Sequence, residues 1–233
     1  MTSQEFWREM ERRIAPYDLL CHPFYKAWSA GELTRDDLKQ YATEYYHHVA
    51  AFPAYLTAFN ARLSDGPLRE AVVGNYRDEL GIGSPDGRQH DEIWLDFAEG
   101  MGARPIDVQT HKPVAEVREL VDTFLRIART GSNPEVLAAL WAYESQVPRV
   151  AREKYVKLRE KYAADDVTCG YFDLHAIADV YHAQTWKRKL DYELRDNPGS
   201  EEAALASAET AAKALWRALD GIDRLRHERA VAA

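Results

Sequence analysis

Two imidazoles and one carboxylate lie close together in the stretch HAIADVYHAQTW, residues 175–186. If this segment is helical, His175, Asp179 and His182 fall within an arc of roughly 60°, because an α-helix turns by about 100° per residue. The same face carries a stripe of apolar residues, namely Tyr171, Leu174, Ala178, Trp186 and Leu190. Such a stripe is typical of a helix face that packs against the core, so we expect the polar side chains to point inward. Their burial is unfavourable unless they are hydrogen-bonded, paired or bound to a cation, and both a metal site and an exposed or internally paired cluster fit this pattern.

Two other segments offer further metal ligands. In LAALWAYESQVP, residues 137–148, Glu144 is the one carboxylate within an apolar run. In YRDELGIGSPDGRQHDEIW, residues 76–94, Glu79 ends one predicted helix and His90 lies in the first turn of the next. The candidate ligands are therefore Glu79, His90, Glu144, His175, Asp179 and His182. Imidazole and carboxylate together suit iron, manganese or zinc, and the lack of thiolates argues against an iron–sulfur cluster.

The charge of this set indicates what chemistry it could support. Three carboxylates against two divalent ions leave about one positive charge, which an oxide, a hydroxide or an anionic substrate could balance. Open coordination positions are what oxygen chemistry requires. Glu79 and His90 flank a loop rich in other acidic residues and could instead be solvated, whereas Glu144 has apolar neighbours.

Composition limits the classes of function. The chain has 233 residues, 46% of them hydrophobic, and a formal net charge of −8. This charge gives no basic surface for a nucleic acid or an anionic membrane, so a small-molecule substrate is expected. No run approaches the roughly 20 apolar residues that span a bilayer, and the N-terminus has no signal-peptide core, so we expect a cytoplasmic protein. Two cysteines are too few for a disulfide framework.

Every segment that carries these candidate ligands is predicted to be helical. Helical periodicity runs through nearly every segment, and no stretch alternates strictly between apolar and polar residues. Capping boxes at Thr2 and Thr34, Gly31 as a stop and Pro67 as a start mark helix ends. The predicted helices cover about 2–14, 22–30, 34–63 with a kink at Pro53, 67–80, 88–101, 113–130, 134–163, 171–196 and 201–229. Without an internal repeat or a long linker, we predict a single all-α domain over residues 1–233.

Four stretches resemble the heme-oxygenase-like proteins typified by the chlamydial protein associating with death domains, the CADD-like family. They are HPFYKAWSAGELTRDDLKQYATEYYHHVAAFPAYL (residues 22–56), WLDFAEGMG (residues 94–102), WAYESQVP and HAIADVYHAQTW. The last motif, with the upstream Glu and Glu/His set, is the more specific signal, whereas HPF followed by a Gly-Glu-Leu turn is shared with TenA thiaminases and PqqC. The resemblance covers about residues 16–195. It implies a bundle of about seven helices with a di-iron or iron–manganese site, and a role in making p-aminobenzoate for folate.

The resemblance also implies roles for individual residues. Tyr25 of HPFYKAW matches a tyrosine that supplies the aromatic ring of the product, and Lys154 matches a proposed donor of the amino group. Tyr41 and Tyr143 match tyrosines that could relay electrons. The separation of Glu79 from His90 is longer than in the family pattern, so Asp78 is an alternative ligand. O2 as co-substrate, an external reductant and a homodimer are further expectations from the family.

Three other functions remain open from the sequence. The same metal site could act on an external substrate, such as a fatty acid or an amino acid. A metal-free enzyme like PqqC or TenA is a second alternative, although the helix matching the one with the TenA nucleophile carries no cysteine here. A protein-interaction module is a third, but no surface motif singles it out.

Overall fold

The computed structural model describes residues 1–232, and within them every regular element is a helix. The α-helices are α1 (Ser3–Ile14), α2 (Pro23–Ala30), α3 (Arg35–Asn60), α4 (Pro67–Glu79), α5 (His90–Gly100), α6 (Pro105–Thr110), α7 (Ala115–Thr130), α8 (Asn133–Glu144), α9 (Val147–Tyr162), α10 (Asp166–Asp196) and α11 (Glu201–Ala232). Two short 3₁₀ helices, Ala15–Tyr17 and Leu19–Cys21, join α1 to α2. The all-α prediction is confirmed. The count of about seven helices that the resemblance implied is wrong, and the nine helices predicted from periodicity are also too few, since residues 1–232 form eleven α-helices.

The capping signals in the sequence act as predicted. Thr2 and Thr34 both form capping boxes, in which the threonine side chain and a carboxylate three residues later satisfy backbone N–H groups that the helix leaves free. Gly31 ends α2 with a φ of 78°, a left-handed conformation that glycine adopts without steric cost. Helix α3 continues through Pro53 to Asn60. Gly31 therefore sets the end of α2, which carries Tyr25, and Thr34 sets the start of α3, which carries Tyr41.

The predicted helix over residues 134–163 is divided in two, which is one reason for the higher count. Pro148 has no N–H to donate to the carbonyl of Glu144, so α8 ends there and α9 begins at Val147. Gln146, between the helices, stabilises the break: its side chain donates to the carbonyl of Ala142 at 3.0 Å and accepts from the N–H of Leu19 at 3.0 Å. The break places the Glu144 side chain at the C-terminal end of a buried helix.

The other differences arise from short-range caps. Asp165 accepts a hydrogen bond from the N–H of Thr168, so α10 begins at Asp166, five residues earlier than predicted. Pro105 starts the short α6, which the sequence analysis did not predict.

Helix α10 is central to the arrangement. It packs against α4, α5, α8 and α9, while α3 packs against α4, α5 and α7, and α11 covers α7 and α8. One contiguous core contains the fully buried indoles Trp28, Trp94 and Trp186. None of the helices in residues 1–232 combines the length and apolar character needed to cross a membrane. This packing directs one face of α10 toward the ends of α4 and α8 and the start of α5.

Candidate metal centre and tyrosine cavity

The structure brings the six predicted ligands together from four helices. Each is buried, with an exposed fraction of 8% or less; they are Glu79 at the end of α4, His90 at the start of α5, Glu144 at the end of α8, and His175, Asp179 and His182 on α10. An exposed cluster is therefore excluded. Because four separate helices converge here, the cluster depends on the whole fold and not on α10 alone.

Asp179 links the two histidines of α10. Its Oδ2 lies 2.9 Å from Nδ1 of His175, and its Oδ1 lies 3.2 Å from Nδ1 of His182. Both contacts use Nδ1, which leaves the Nε2 atoms of the two rings free to point elsewhere. In His182, Nε2 lies 3.1 Å from Oδ2 of Asp78. This arrangement fixes the orientation of both imidazoles, as second partners of metal-binding histidines commonly do.

The loop between α4 and α5 supplies the second pair. Nδ1 of His90 lies 3.0 Å from Oε2 of Glu79. The His90 ring packs edge-to-face on His175, with centroids 4.7 Å apart, and so joins this pair to the α10 histidines. Asp78 is more than half exposed, whereas Glu79 is buried beside His90. The geometry therefore favours Glu79 over Asp78 as the inner carboxylate.

The pKa values show how much the cluster depends on positive charge. Burial would raise the pKa of Asp179, but His175 and His182 outweigh burial and lower it. Burial would lower the pKa of His182, but its hydrogen bonds to Asp179 and Asp78 raise that pKa instead. Burial raises the pKa of Glu144 well above its ordinary range. Positive charge beside these carboxylates, from an imidazolium or from a bound cation, offsets the cost of burying them.

Unpaired buried atoms and spacing both fit a cation. Nε2 of His175 and Oε1 of Glu144 are buried without a hydrogen-bond partner, which is unfavourable unless another species binds them. Ligand atoms of Glu144, Asp179 and His182 lie within 4.8 Å of one another. Oε2 of Glu144 also accepts from Nε1 of Trp186, which holds the carboxylate in place. Their identity as metal ligands stays a prediction, and the carboxylate–imidazole set suits iron or manganese.

A second cavity, lined mainly by aromatic rings, adjoins this cluster. Tyr25 and Tyr41, both buried, share a hydrogen bond between their hydroxyls at 2.7 Å. The cavity beside them has a volume of about 30 Å³, and the one beside the ligands about 10 Å³. Tyr143 and Tyr171 line both cavities. These two rings therefore form the wall between the cluster and Tyr25.

Lys154 lies against Tyr25, which its position in the sequence did not indicate. Its side chain is fully buried on α9, and Nζ donates to the backbone carbonyl of Tyr25 at 3.2 Å. The same nitrogen lies 4.2 Å from the ring centroid of Tyr25 and 4.9 Å from that of Trp28. Burial lowers the pKa of Lys154 to about 7. A lysine with such a pKa is in part an uncharged amine at neutral pH, which is the nucleophilic form.

Tyr171 is a site residue that the sequence analysis identified only as part of the apolar stripe. It lies one helical turn before His175, and the two rings pack with centroids 4.1 Å apart. The Tyr171 ring also packs edge-to-face with Trp94, with centroids 4.7 Å apart. The spacing of four residues from a candidate ligand was the available signal.

Larger clefts exist on the surface, but they are separate from this centre. One of about 650 Å³ is bordered by Asp36, Glu44, His111 and Arg226, and one of about 580 Å³ by Arg62, Arg188 and Tyr192. Neither is lined by a predicted ligand or by Tyr25.

Comparison with known proteins finds relatives that match this chain over most of its length. A protein from Chlamydia trachomatis named 4-aminobenzoate synthase is 34% identical over 216 residues, which cover 92% of this chain and 90% of the relative. A protein of the same name from Nitrosomonas europaea is 34% identical over 232 residues, covering 95% and 92%. A crystal structure from Shewanella denitrificans, of a domain of unknown function with a heme oxygenase-like fold, superposes with a TM-score of 0.82 at 17% identity, covering 100% of this chain and 97% of that one.

The family itself follows from the central part of the chain. Residues 39–216 match the sequence profile of the family described as iron-containing redox enzymes, and this region includes all six predicted ligands. The resemblance seen in the sequence is thus confirmed at the level of family and fold, and the chain belongs to the iron-containing redox enzymes with a heme oxygenase-like fold.

Proposed function

We propose that this enzyme makes 4-aminobenzoate and that the aromatic ring of the product comes from its own Tyr25. The relatives from Chlamydia trachomatis and Nitrosomonas europaea bear the name of this activity. The product has a carboxylate carbon and, para to it, a nitrogen on one benzene ring. A tyrosine side chain has the same skeleton, with Cβ in place of the carboxylate carbon and oxygen in place of nitrogen. Its conversion therefore requires cleavage of the Cα–Cβ bond, oxidation of Cβ and replacement of oxygen by nitrogen.

The contact between Lys154 and Tyr25 is the observation that carries this proposal. A buried amine with a lowered pKa lies directly over the ring that would receive nitrogen, 4.2 Å from its centroid. A purely structural lysine at this place would be unfavourable, because burial of an ammonium group without a carboxylate partner is costly. We propose that Lys154 supplies the nitrogen. Nζ bonds to the ring carbon that carries the phenolic oxygen, and that oxygen leaves as water. A two-electron oxidation at Cε, at the expense of O2, and hydrolysis then break the Cε–Nζ bond and leave an aldehyde on the former lysine.

The small size of the inner cavities also supports an internal substrate. Pockets for small molecules typically have volumes of about 300 Å³ or more. The cavities beside the ligands and beside Tyr25 measure about 10 and 30 Å³. An external fatty acid or amino acid would need a much larger opening beside the ligands, whereas Tyr25 is part of the protein and already lines the adjoining cavity.

Two metal ions would be held by Glu79, His90, Glu144, His175, Asp179 and His182. We propose iron with either iron or manganese, O2 as co-substrate and an external reductant. When bound, this centre would supply one-electron oxidation of phenols at the expense of O2. The protein contributes a path for electrons and isolation from water. Tyr143 and Tyr171 lie between the ligands and Tyr25, and the hydroxyl of Tyr41 is hydrogen-bonded to the hydroxyl of Tyr25 at 2.7 Å. The wall of aromatic rings excludes water from the reacting ring.

An isotope experiment tests the role of Lys154. Protein labelled with ¹⁵N at the lysine side chains is loaded with iron and manganese, reduced and exposed to O2, and the released 4-aminobenzoate is weighed by mass spectrometry. The expected product carries ¹⁵N, and Lys154→Met yields none. Lys157→Met is the matched control, because Lys157 is on the same helix but pairs with Glu160 at 2.9 Å. Unlabelled product, or full yield from Lys154→Met, would contradict the proposed donor.

A further inference from the structure

A second pair of buried side chains is suited to redox chemistry and has no part in the function proposed above. His48 and Tyr55 are on the same face of α3, with exposed fractions of 0% and 1%. Nδ1 of His48 lies 3.3 Å from the hydroxyl of Tyr55. Among the hydrogen bonds of residues 1–232, this is the one that joins a phenol to an imidazole. Nε2 of His48 is buried without a partner.

Aromatic rings enclose the pair and connect it to the candidate metal centre. The His48 ring meets Tyr143 edge-to-face with centroids 4.9 Å apart, and Tyr143 lines the cavity beside the ligands. Phe124 stacks on Tyr55 at 5.5 Å and also contacts His48 at 5.4 Å. Phe52 covers the pair from the next turn of α3. The shell thus gives a short path for an electron through ring contacts and little access for water.

A phenol that loses an electron becomes a strong acid, so its oxidation needs a nearby base. Burial lowers the pKa of His48 to about 3, which keeps the imidazole neutral near pH 7. In the tautomer that carries its proton on Nε2, Nδ1 accepts the hydrogen bond of the Tyr55 hydroxyl and can take the proton of the oxidised phenol, which is a far stronger acid than the imidazolium. Burial also raises the pKa of Tyr55, and Asp122 adds to this effect, so the phenol remains protonated until it is oxidised. The pair therefore combines an oxidisable phenol with a base already in hydrogen-bond contact.

We propose that Tyr55 and His48 form a redox-active tyrosine–histidine pair that takes up oxidising equivalents not consumed at Tyr25. Tyr55 gives one electron, through the rings of His48 and Tyr143, to a one-electron oxidant produced by the iron chemistry, and gives its phenolic proton to Nδ1 of His48. The products are a neutral phenoxyl radical and an imidazolium ion. An external one-electron reductant restores the phenolate, which recovers the proton from His48. This role does not require that Tyr25 be consumed.

Radical spectroscopy in a Tyr25→Phe protein tests the pair. Iron-loaded protein is reduced, mixed with O2 and frozen at increasing times for electron paramagnetic resonance. A long-lived tyrosyl radical is expected, which is lost on adding Tyr55→Phe and decays faster on adding His48→Gln. Tyr192→Phe is the control, because the Tyr192 side chain is 54% exposed and borders a surface cleft that is separate from the candidate metal centre. A radical that persists unchanged in the Tyr55→Phe protein, or no tyrosyl radical in the Tyr25→Phe protein, would overturn the proposal.

A metal-free measurement separates the pair from the chemistry of the metal centre. Metal-free protein is oxidised with photogenerated ruthenium(III) tris-bipyridine, and tyrosyl absorption is followed in H2O and D2O. The hydrogen bond to His48 predicts a kinetic phase of tyrosyl radical formation that is slower in D2O than in H2O. This phase should be absent from the Tyr55→Phe protein and present in the Tyr192→Phe protein. Near-ultraviolet circular dichroism confirms that each variant keeps its packing. A D2O-sensitive phase of equal amplitude in the Tyr55→Phe protein would contradict the proton transfer.

Discussion

Replacement of Lys154 by methionine should change the pH dependence of stability in a way that can be calculated. Lys154 is fully buried, and its pKa is lowered from 10.5 to about 7 because burial disfavours the ammonium form. Between pH 7 and about pH 10, the folded protein holds this amine largely uncharged, whereas the unfolded chain holds it protonated. The unfolded state then binds more protons, so the free energy of unfolding rises with pH in this window.

The magnitude follows from the size of the change in pKa. At about 1.4 kcal/mol for each pKa unit, the buried amine destabilises the folded protein by roughly 4 kcal/mol at pH 7 and by less than about 1 kcal/mol at pH 10. Methionine has a similar shape and no charge, so Lys154→Met removes this pH-dependent penalty. The substitution also removes the hydrogen bond to Tyr25 and the contacts with the aromatic rings, and this loss offsets roughly 2 kcal/mol of the gain in stability at pH 7. We expect Lys154→Met to be more stable than the parent by roughly 2 kcal/mol at pH 7, with the difference shifting by about 3 kcal/mol toward the parent by pH 10.

Urea unfolding of both proteins at several pH values between 6.5 and 10 measures this difference. Other groups that titrate in this range contribute equally to both proteins, so the difference isolates Lys154. Lys157→Met is the control, and its difference from the parent should stay nearly constant over the same window, because the pKa of Lys157 is raised by its bond to Glu160. A difference between Lys154→Met and the parent that does not vary with pH would refute a neutral buried amine.

Three further perturbations test the ligands, the packing and the position of α2. His175→Ala should abolish iron loading, measured by elemental analysis, while leaving the helical circular dichroism intact; normal iron content would remove His175 from the ligand set. Gly74→Ala should raise the free energy of unfolding by about 0.5–1 kcal/mol, because the added Cβ would meet no atom within 4 Å. Gly100→Ala should lower the free energy of unfolding by about 1–3 kcal/mol, because the added Cβ would clash with Thr168. The thermal unfolding midpoints of the two variants should therefore shift in opposite directions. His22→Ala should cost about 1 kcal/mol in the same assay, because the imidazole caps the N-terminus of α2, and an unchanged midpoint would show that the cap contributes nothing.

The cluster of candidate ligands could be predicted in part from sequence because its members on α10 obey helical spacing. His175, Asp179 and His182 share a stripe with apolar residues, and Glu144 stands alone in an apolar run, so burial followed from periodicity. The burial of Glu79 and His90 did not follow from a local pattern, because they flank a loop rich in acidic residues. Their side chains become buried only when α4 and α5 pack against α10.

The burial of Lys154 could not be predicted from periodicity, although the family resemblance singled the residue out. Pro148 interrupts the helical pattern after Glu144, so the sequence does not show which face of its helix the lysine occupies. In the structure, α9 begins at Val147. From that start, one buried face of the helix carries Ala151, Lys154 and Leu158. The contact with Tyr25 depends on how α2 packs on α9, which no local pattern contains. The His48–Tyr55 pair is similar, since its base is recognisable only when the rings around it are seen.

Peptide mass spectrometry of residues 17–35 shows whether Tyr25 is the source of the aromatic ring. The protein is loaded with iron and manganese, reduced and exposed to O2, then digested and compared with unreacted protein. If the enzyme consumes its own tyrosine, the peptide loses the side chain of Tyr25 in proportion to the 4-aminobenzoate released. An intact Tyr25 in metal-loaded protein that nevertheless forms 4-aminobenzoate would contradict this role of Tyr25 and point to an external source of the ring.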